Sequence, residues 1–179
     1  SPDAEMQTGA IAIVREIAGA EVTKARAQEL PNLGPATQVQ LLSALADRGD
    51  ATALPAVIEA SKSQDESVRV AALKAVGQIG NASSVLLLAH RAATSKGVEQ
   101  KAARESLYRL RGPEIDAAIL QSLPSAATDV KVEFISAVGE RNVAGSIESL
   151  LKAARDEDRK VRVESLKVLR VVGKPEDMP

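Results

Sequence analysis

The chain has no cysteine, no tryptophan, one phenylalanine, one tyrosine and one histidine among its 179 residues. Without cysteine there is no disulfide framework and no thiolate metal site. The same absence is compatible with the cytoplasm or an exported compartment. With two aromatic side chains, the core must be built from Ala, Val, Leu and Ile rather than from large rings. Hydrophobic residues make up 45% of the chain, enough for a core of that kind. Neither sign of charge prevails: 23 Lys and Arg face 24 Asp and Glu, scattered along the chain. There is thus no basic field to hold a phosphate backbone, and with no stacking aromatics nucleic acid is disfavoured. The longest uninterrupted apolar run, Val85–Ala89, is far too short to span a membrane. No signal peptide is visible, and an opening on Ser1 is compatible with a leader already removed.

What the chain does have is repetition. VRVAALKAVGQIG, from Val68 to Gly80, returns as VRVESLKVLRVVG from Val161 to Gly173, 93 residues later. Steps of 31 from Val76 reach Val14, Leu45, Leu107, Val138 and Leu169, all aliphatic. A neighbouring row holds Ile13, Ala44, Ala75, Ser106, Ala137 and Val168. A third holds Ile11, Leu42, Leu73, Arg104, Ile135 and Leu166, with one charged exception. Units close on Ala18, Gly49, Gly80, Arg111, Asn142 and Gly173. Gly and Asn there predict helix C-termini in the left-handed conformation.

Each unit reads as two helices. Val68, Ala72, Ala75, Val76 and Ile79 form a helical stripe. Asp65 and Asp158 stand where N-caps belong, and each is four residues from an arginine, Arg69 or Arg162. The second helix carries Val85, Leu88, Ala89 and Ala92, matched by Leu54, Val57, Ile58 and Ser61 and by Ile147, Leu150, Leu151 and Ala154. Pro55 falls in a first turn, where its missing N–H costs little. One such hairpin cannot bury its own apolar face, whereas stacked neighbours can, so the array is predicted to be a solenoid. Heptad packing is excluded by the 31-residue period and its glycine breaks.

This unit resembles the HEAT repeat, in particular the short variety of the phycobilisome bilin-lyase proteins. The resemblance rests on Val68-Arg69, Val161-Arg162 and Val130-Lys131, on Ala71-Ala72, and on Ala75-Val76-Gly77 and Ala137-Val138-Gly139. Ile79-Gly80 and Ala53-Leu54-Pro55 complete it. It covers nearly the whole chain. It implies an all-α fold, a right-handed superhelix of stacked antiparallel helix pairs with about 11 helices. It also implies a scaffold that binds other macromolecules and has no shared catalytic residue. The expectation is one repeat domain over 1–179, with units of about 4–34, 35–64, 65–96, 97–126, 127–157 and 158–179.

The last unit holds one helix and then Lys-Pro-Glu-Asp-Met-Pro, which predicts a fragment of a longer protein. An uncapped end at Val163, Leu166 and Val172 is then expected, with weak self-association through it. In the first unit Thr23 and Arg26 stand where later units have aliphatics, as terminal repeats often do. Unit four departs most. Arg104 and Asp116 occupy aliphatic rows facing each other across the hairpin, and isolated buried charges are costly. They are expected to form an ion pair, or both to be partly exposed. Tyr108 lies in a row otherwise filled by Arg15, Ala46, Gly77, Gly139 and Arg170. It is read as a packing change that alters curvature, or as a partner contact.

No catalytic constellation is present. His90 has no neighbouring ligand to complete a zinc set, and it falls on the solvent side of its helix. No serine elbow, phosphate loop or dinucleotide fingerprint occurs. No catalytic residue, cofactor or metal is therefore assigned. In HEAT-like arrays second helices line the concave side. Their outward rows here read Ala25, Ala56, Leu87, Ala118, Ser149 and Gln28, Glu59, His90, Gln121, Lys152. A mildly apolar row beside a polar one suits a protein or peptide partner. Glu59, Leu87, His90, Gln121 and Lys152 are the candidate contacts. Stacked layers roughly 8–10 Å apart make that surface about 50 Å long. Three functions stay open: a non-catalytic protein–protein interaction scaffold, a passive spacer in a larger multidomain protein, and a bilin-lyase-like enzyme or ligand-binding module. The shortage of aromatics disfavours the last.

Overall fold

A computed structural model describes residues 19–173. First helices open at Pro35, Glu66, Gly97, Thr128 and Arg159, each 31 residues after the one before. Ten α-helices lie among the described residues, and no strand. They are α1 (Ala20–Glu29), α2 (Pro35–Arg48), α3 (Leu54–Ala60), α4 (Glu66–Ile79) and α5 (Ser84–Thr94), then α6 (Gly97–Arg109), α7 (Ile115–Ser122), α8 (Thr128–Arg141), α9 (Ile147–Ala153) and α10 (Arg159–Val172). The helix expected around Ile11, Ile13 and Val14 lies outside the described residues, as do Arg15, Ala18 and Pro175. The fold is all-α and of the α-solenoid class. It divides into two compact units, Ser1–Gly80 and Asn81–Pro179, with the boundary in the turn between α4 and α5.

In the first unit α4 packs on α2 and α3, and α1 packs on α2, α3 and the short turn Ala51–Ala53. Leu42, Leu45, Leu73 and Val76 are fully buried along the predicted rows. Thr23 is buried as well, and its neighbours explain why an aliphatic is not needed there. The Thr23 hydroxyl accepts from Arg48 Nε at 2.6 Å and donates to the Gly19 carbonyl at 3.4 Å. Arg26 pairs with Glu29 at 3.2 Å on the surface.

In the second unit α8 is the hub, packing on α5, α6, α7 and α10. Leu107, Val138 and Leu169 are buried, as are Ser106, Ala137 and Val168. Leu166 breaks its row at 58% exposure, because it stands on the outer face of the last described helix. Val163 is exposed too, but Val172 is half-buried and Val171 takes the outward place.

One periodic contact explains the Val-Arg step. The valines (Val68, Val130, Val161) are buried, and the next residue ties down the loop that leads into its own helix. Arg69 Nη1 donates to the carbonyls of Ser63 and Gln64, both at 2.9 Å. Arg162 Nη1 does the same to Asp156 at 2.9 Å and Glu157 at 2.7 Å. One period before Arg69, Gln38 donates to the Leu33 carbonyl; one period after it, Gln100 donates to the Ala92 carbonyl. Lys131 instead reaches forward to the Asp156 carboxylate at 2.8 Å. Apart from Lys131, the position thus satisfies loop or helix-end carbonyls that would otherwise lack partners. This also corrects the expected Asp158–Arg162 pair, since that guanidinium is spent on backbone. The capping role of Asp65 and Asp158 holds. Asp65 accepts from the Ser67 and Val68 amides, and Asp158 from the Lys160 amide.

Two further expectations are corrected. Gly49 and Asn142 end their helices in the left-handed region, at φ 71° and 50°. Gly80 and Gly173 are extended, at φ −72° and −74°, so the chain leaves those helices without a left-handed residue. The Arg104–Asp116 ion pair does not form. Arg104 donates through Nε and Nη2 to the two carboxylate oxygens of Glu133, at 2.8 and 2.6 Å. Asp116 accepts from Arg141 Nε at 2.7 Å. Both partners come from α8, in the next repeat, rather than from the residues' own hairpin. The two side chains remain 41% and 44% exposed, which was the other option for them. Only Glu133 is buried, and its bidentate partner offsets the desolvation of its charge.

Candidate protein-interaction surfaces

The first unit has an apolar groove of about 420 Å³ on the side of α1 and α3. Its floor is Ala27, Leu30, Pro31, Ala56 and Ala60, and its rim is Gln28, Gln38, Glu59 and Ser63. The local chemistry accounts for the shape. Pro31 stiffens the turn Leu30–Asn32 at the end of α1, and Gln38 pins the following loop through the Leu33 carbonyl. Small alanines on α1 and α3 leave the space between the helices unfilled. Glu59 lies on the rim, its carboxylate 2.6 Å from Lys62 Nζ.

The other four sequence candidates belong to the second unit. Leu87 is half-buried and His90 exposed on α5, with Leu86 exposed beside them. Gln121 is exposed on α7. Lys152 is exposed on α9 and pairs with Glu148 one turn earlier at 2.7 Å. The groove of the first unit thus takes in Glu59 alone of the five. No group of three or more His, Cys, Asp or Glu placed to hold a metal occurs among the described residues. No helix among them is long and apolar enough to cross a membrane.

Residues 23–108 match the family model of HEAT repeats. That segment, a little under half of the chain, is built of HEAT repeats. Helix pairs continue at the same 31-residue spacing past the matched segment, to α10. A comparison with curated proteins returned no match. HEAT repeats generally serve as protein-interaction scaffolds and are typically non-catalytic.

The second unit carries another groove, of about 410 Å³, on its first helices. Tyr108 of α6 overlooks it. Ser136, Gly139 and Glu140 of α8 and Glu164, Lys167, Val168 and Val171 of α10 complete it. Gly139 sets the approach of α10, because a Cβ there would stand 3.1 Å from both methyls of Val168. Sequence reasoning singled out Tyr108 from its row of small residues and arginines, but missed the carboxylates around it. They come from α8 and α10, 32 and 56 residues away at Glu140 and Glu164.

Tyr108 is half-buried, and its phenol is pushed up to about 12. Burial, which disfavours phenolate, is the first cause, and the Glu133 charge is the second. Unfolded tyrosine titrates near 10. The raised group therefore contributes stability fully present below about pH 10 and lost as pH rises toward about 12. The chain has one Tyr and no Trp, so ultraviolet absorbance reads this phenol alone. Titration of the native protein is expected to give a midpoint near 12, falling to about 10 in denaturant. A native midpoint of about 10 would show that the ring is not shielded.

Proposed function

We propose that the chain is a non-catalytic protein-binding scaffold whose second-helix side receives a segment of another protein. The observation that supports this most is the first unit's groove, with an apolar floor of Leu30, Pro31 and three alanines inside a rim of Gln28, Gln38, Glu59 and Ser63. An apolar centre with a polar rim is the anatomy of protein contacts. Glutamine and serine side chains on the rim can hydrogen-bond an extended backbone, while the floor accepts an aliphatic side chain of the partner. Leu87 and His90 on α5 and Gln121 and Lys152 on α7 and α9 form the corresponding polar and apolar rows of the second unit.

The test is to fill the groove. Ala56→Arg places a long charged side chain on a half-buried floor position of α3. Affinity capture by the wild type, by Ala56→Arg and by the exposed-site control Lys101→Gln is then compared. A partner retained by the wild type and the control should be depleted at least about ten-fold with Ala56→Arg, as expected for a blocked interface centre. The paired variant Leu87→Ala/His90→Ala probes the second unit in the same assay. Capture unchanged by either variant would exclude these surfaces, and a chain that only spaces its neighbours would be indifferent to both.

A further inference from the structure

We propose that the groove under Tyr108 is a second docking site, for a lysine or arginine side chain on a basic segment of a partner protein. It stands on the first helices of the array, so it is a different surface from the second-helix rows proposed above. Three features argue for a cation.

The first is the wall. Tyr108 is the one tyrosine of the chain and sits where the array otherwise places Ala46, Gly77, Gly139 and Arg170. Its ring is half-buried at the edge of the groove, and its hydroxyl makes no hydrogen bond among the described residues while still reaching solvent. A half-desolvated aromatic face attracts ammonium and guanidinium groups.

The second is the charge around the ring. Glu140 lines the groove, is exposed, and has no ion-pair or hydrogen-bond partner among the described residues. Glu164 lines it from the other side and accepts from the Ser136 hydroxyl at 2.9 Å and from Lys167 Nζ at 3.2 Å. Lys167 is the one cation in the lining, and it is mostly exposed on a flexible stem. Arg104 nearby is paired with Glu133, whose two carboxylate oxygens accept from its Nε and Nη2. The phenol itself senses Glu133, Glu140 and Glu164 against Arg104, so the net field at the ring is negative. An incoming Lys or Arg can pair with Glu140 without displacing any internal bond, and can displace Lys167 from Glu164 at the small cost of a surface pair.

The third is the floor. Val168, Val171 and the bare backbone at Gly139 are apolar or small, which suits the methylene stem of a long cationic side chain while its head stays wet. Val171 is 76% exposed, so apolar surface at the groove is open to a partner's methylenes.

The test uses a short capped Gly-Arg-Gly-Arg-Gly peptide as probe, with Gly-Glu-Gly-Glu-Gly as control. With no Trp in the chain, Tyr108 fluorescence reports the site directly, and amide resonances of Gly139, Glu140 and Val168 report its lining. The arginine peptide should give a saturable change at these signals that weakens with added salt, and the glutamate peptide none. Glu140→Gln should weaken binding about two- to five-fold, the range of one exposed pair. Tyr108→Ala should abolish the localised response at Gly139 and Val168, while Tyr108→Phe retains it, since the ring face and not the hydroxyl is used. Thermal unfolding of each variant reports folding separately, and Glu140, having no partner among the described residues, can be exchanged without breaking a described contact. No response at Gly139 and Val168, or a response left unchanged by Glu140→Gln, overturns the proposal. Neither result touches the groove of the first unit, which the Ala56→Arg comparison tests by itself.

Discussion

Phe134→Ala is expected to lower the unfolding free energy by about 3–5 kcal/mol, the range for removing a fully buried aromatic ring. Phe134 is the one phenylalanine of the chain and has no exposed surface. It sits on α8, the helix that packs on α5, α6, α7 and α10. Its row along the array reads Leu41, Ala72, Ala103, Phe134 and Ser165, all buried. In the second unit its row-mates on the neighbouring first helices are small, Ala103 and Ser165, which leaves room for a ring. Neither can expand into the space a truncation would leave, so the cavity stays open and the loss falls toward the upper end of the range. Urea unfolding followed by circular dichroism gives the magnitude. Because repeat arrays unfold through nearest-neighbour steps, amide exchange should place the loss in α6, α8 and α10 first. A loss under about 1 kcal/mol would mean that this row does not form a packed core.

Arg141→Met should cost about 2–4 kcal/mol, and most of that loss arises at backbone rather than at the ion pair. Helix α6 ends at Arg109 and turns into an extended Leu110, which leaves its last carbonyls without intrahelical donors. Arg141, reaching across from α8, donates through Nη1 to the carbonyls of Tyr108 at 2.9 Å and Leu110 at 2.7 Å. Its Nε holds Asp116 at 2.7 Å, and the arginine side chain is only 11% exposed. Removing it leaves part-buried acceptors unpaired, the expensive kind of loss. Asp116 is far more exposed, so Asp116→Asn should cost no more than about 1 kcal/mol. Arg141→Lys should recover little, because an ammonium cannot serve the carbonyls and the carboxylate at once. Equal destabilisation by Asp116→Asn and Arg141→Met would show that the ion pair, and not the helix end, is what matters.

The two cases mark where the sequence was readable. Leu45, Val76, Leu107, Val138 and Leu169 could be placed inside from spacing alone, and all are buried. Burial in a repeat follows from helical period and unit length, both of which are local properties of the chain. The caps at Asp65 and Asp158 were legible for the same reason. The Arg104–Asp116 pair was not. A row tells which face a long side chain leaves from, but its guanidinium travels several ångströms further and takes the best acceptor it meets. For Arg104 that acceptor is Glu133, 29 residues away. Gly80 and Gly173 were misread because glycine permits both the left-handed and the extended exit, and the following turn decides between them. Glu59 could be marked as a surface residue, but its groove depends on how Pro31 and Gln38 hold the preceding loop.

By itself the sequence determined the helix pair, its 31-residue repeat and the aliphatic interior. Those follow from which residues shun water at which period, and that needs no knowledge of neighbours. Tertiary structure alone decided which charges meet, how each helix ends and where grooves remain. Such features depend on the reach of flexible side chains and on the gaps left between packed helices, distances that no one-dimensional spacing contains.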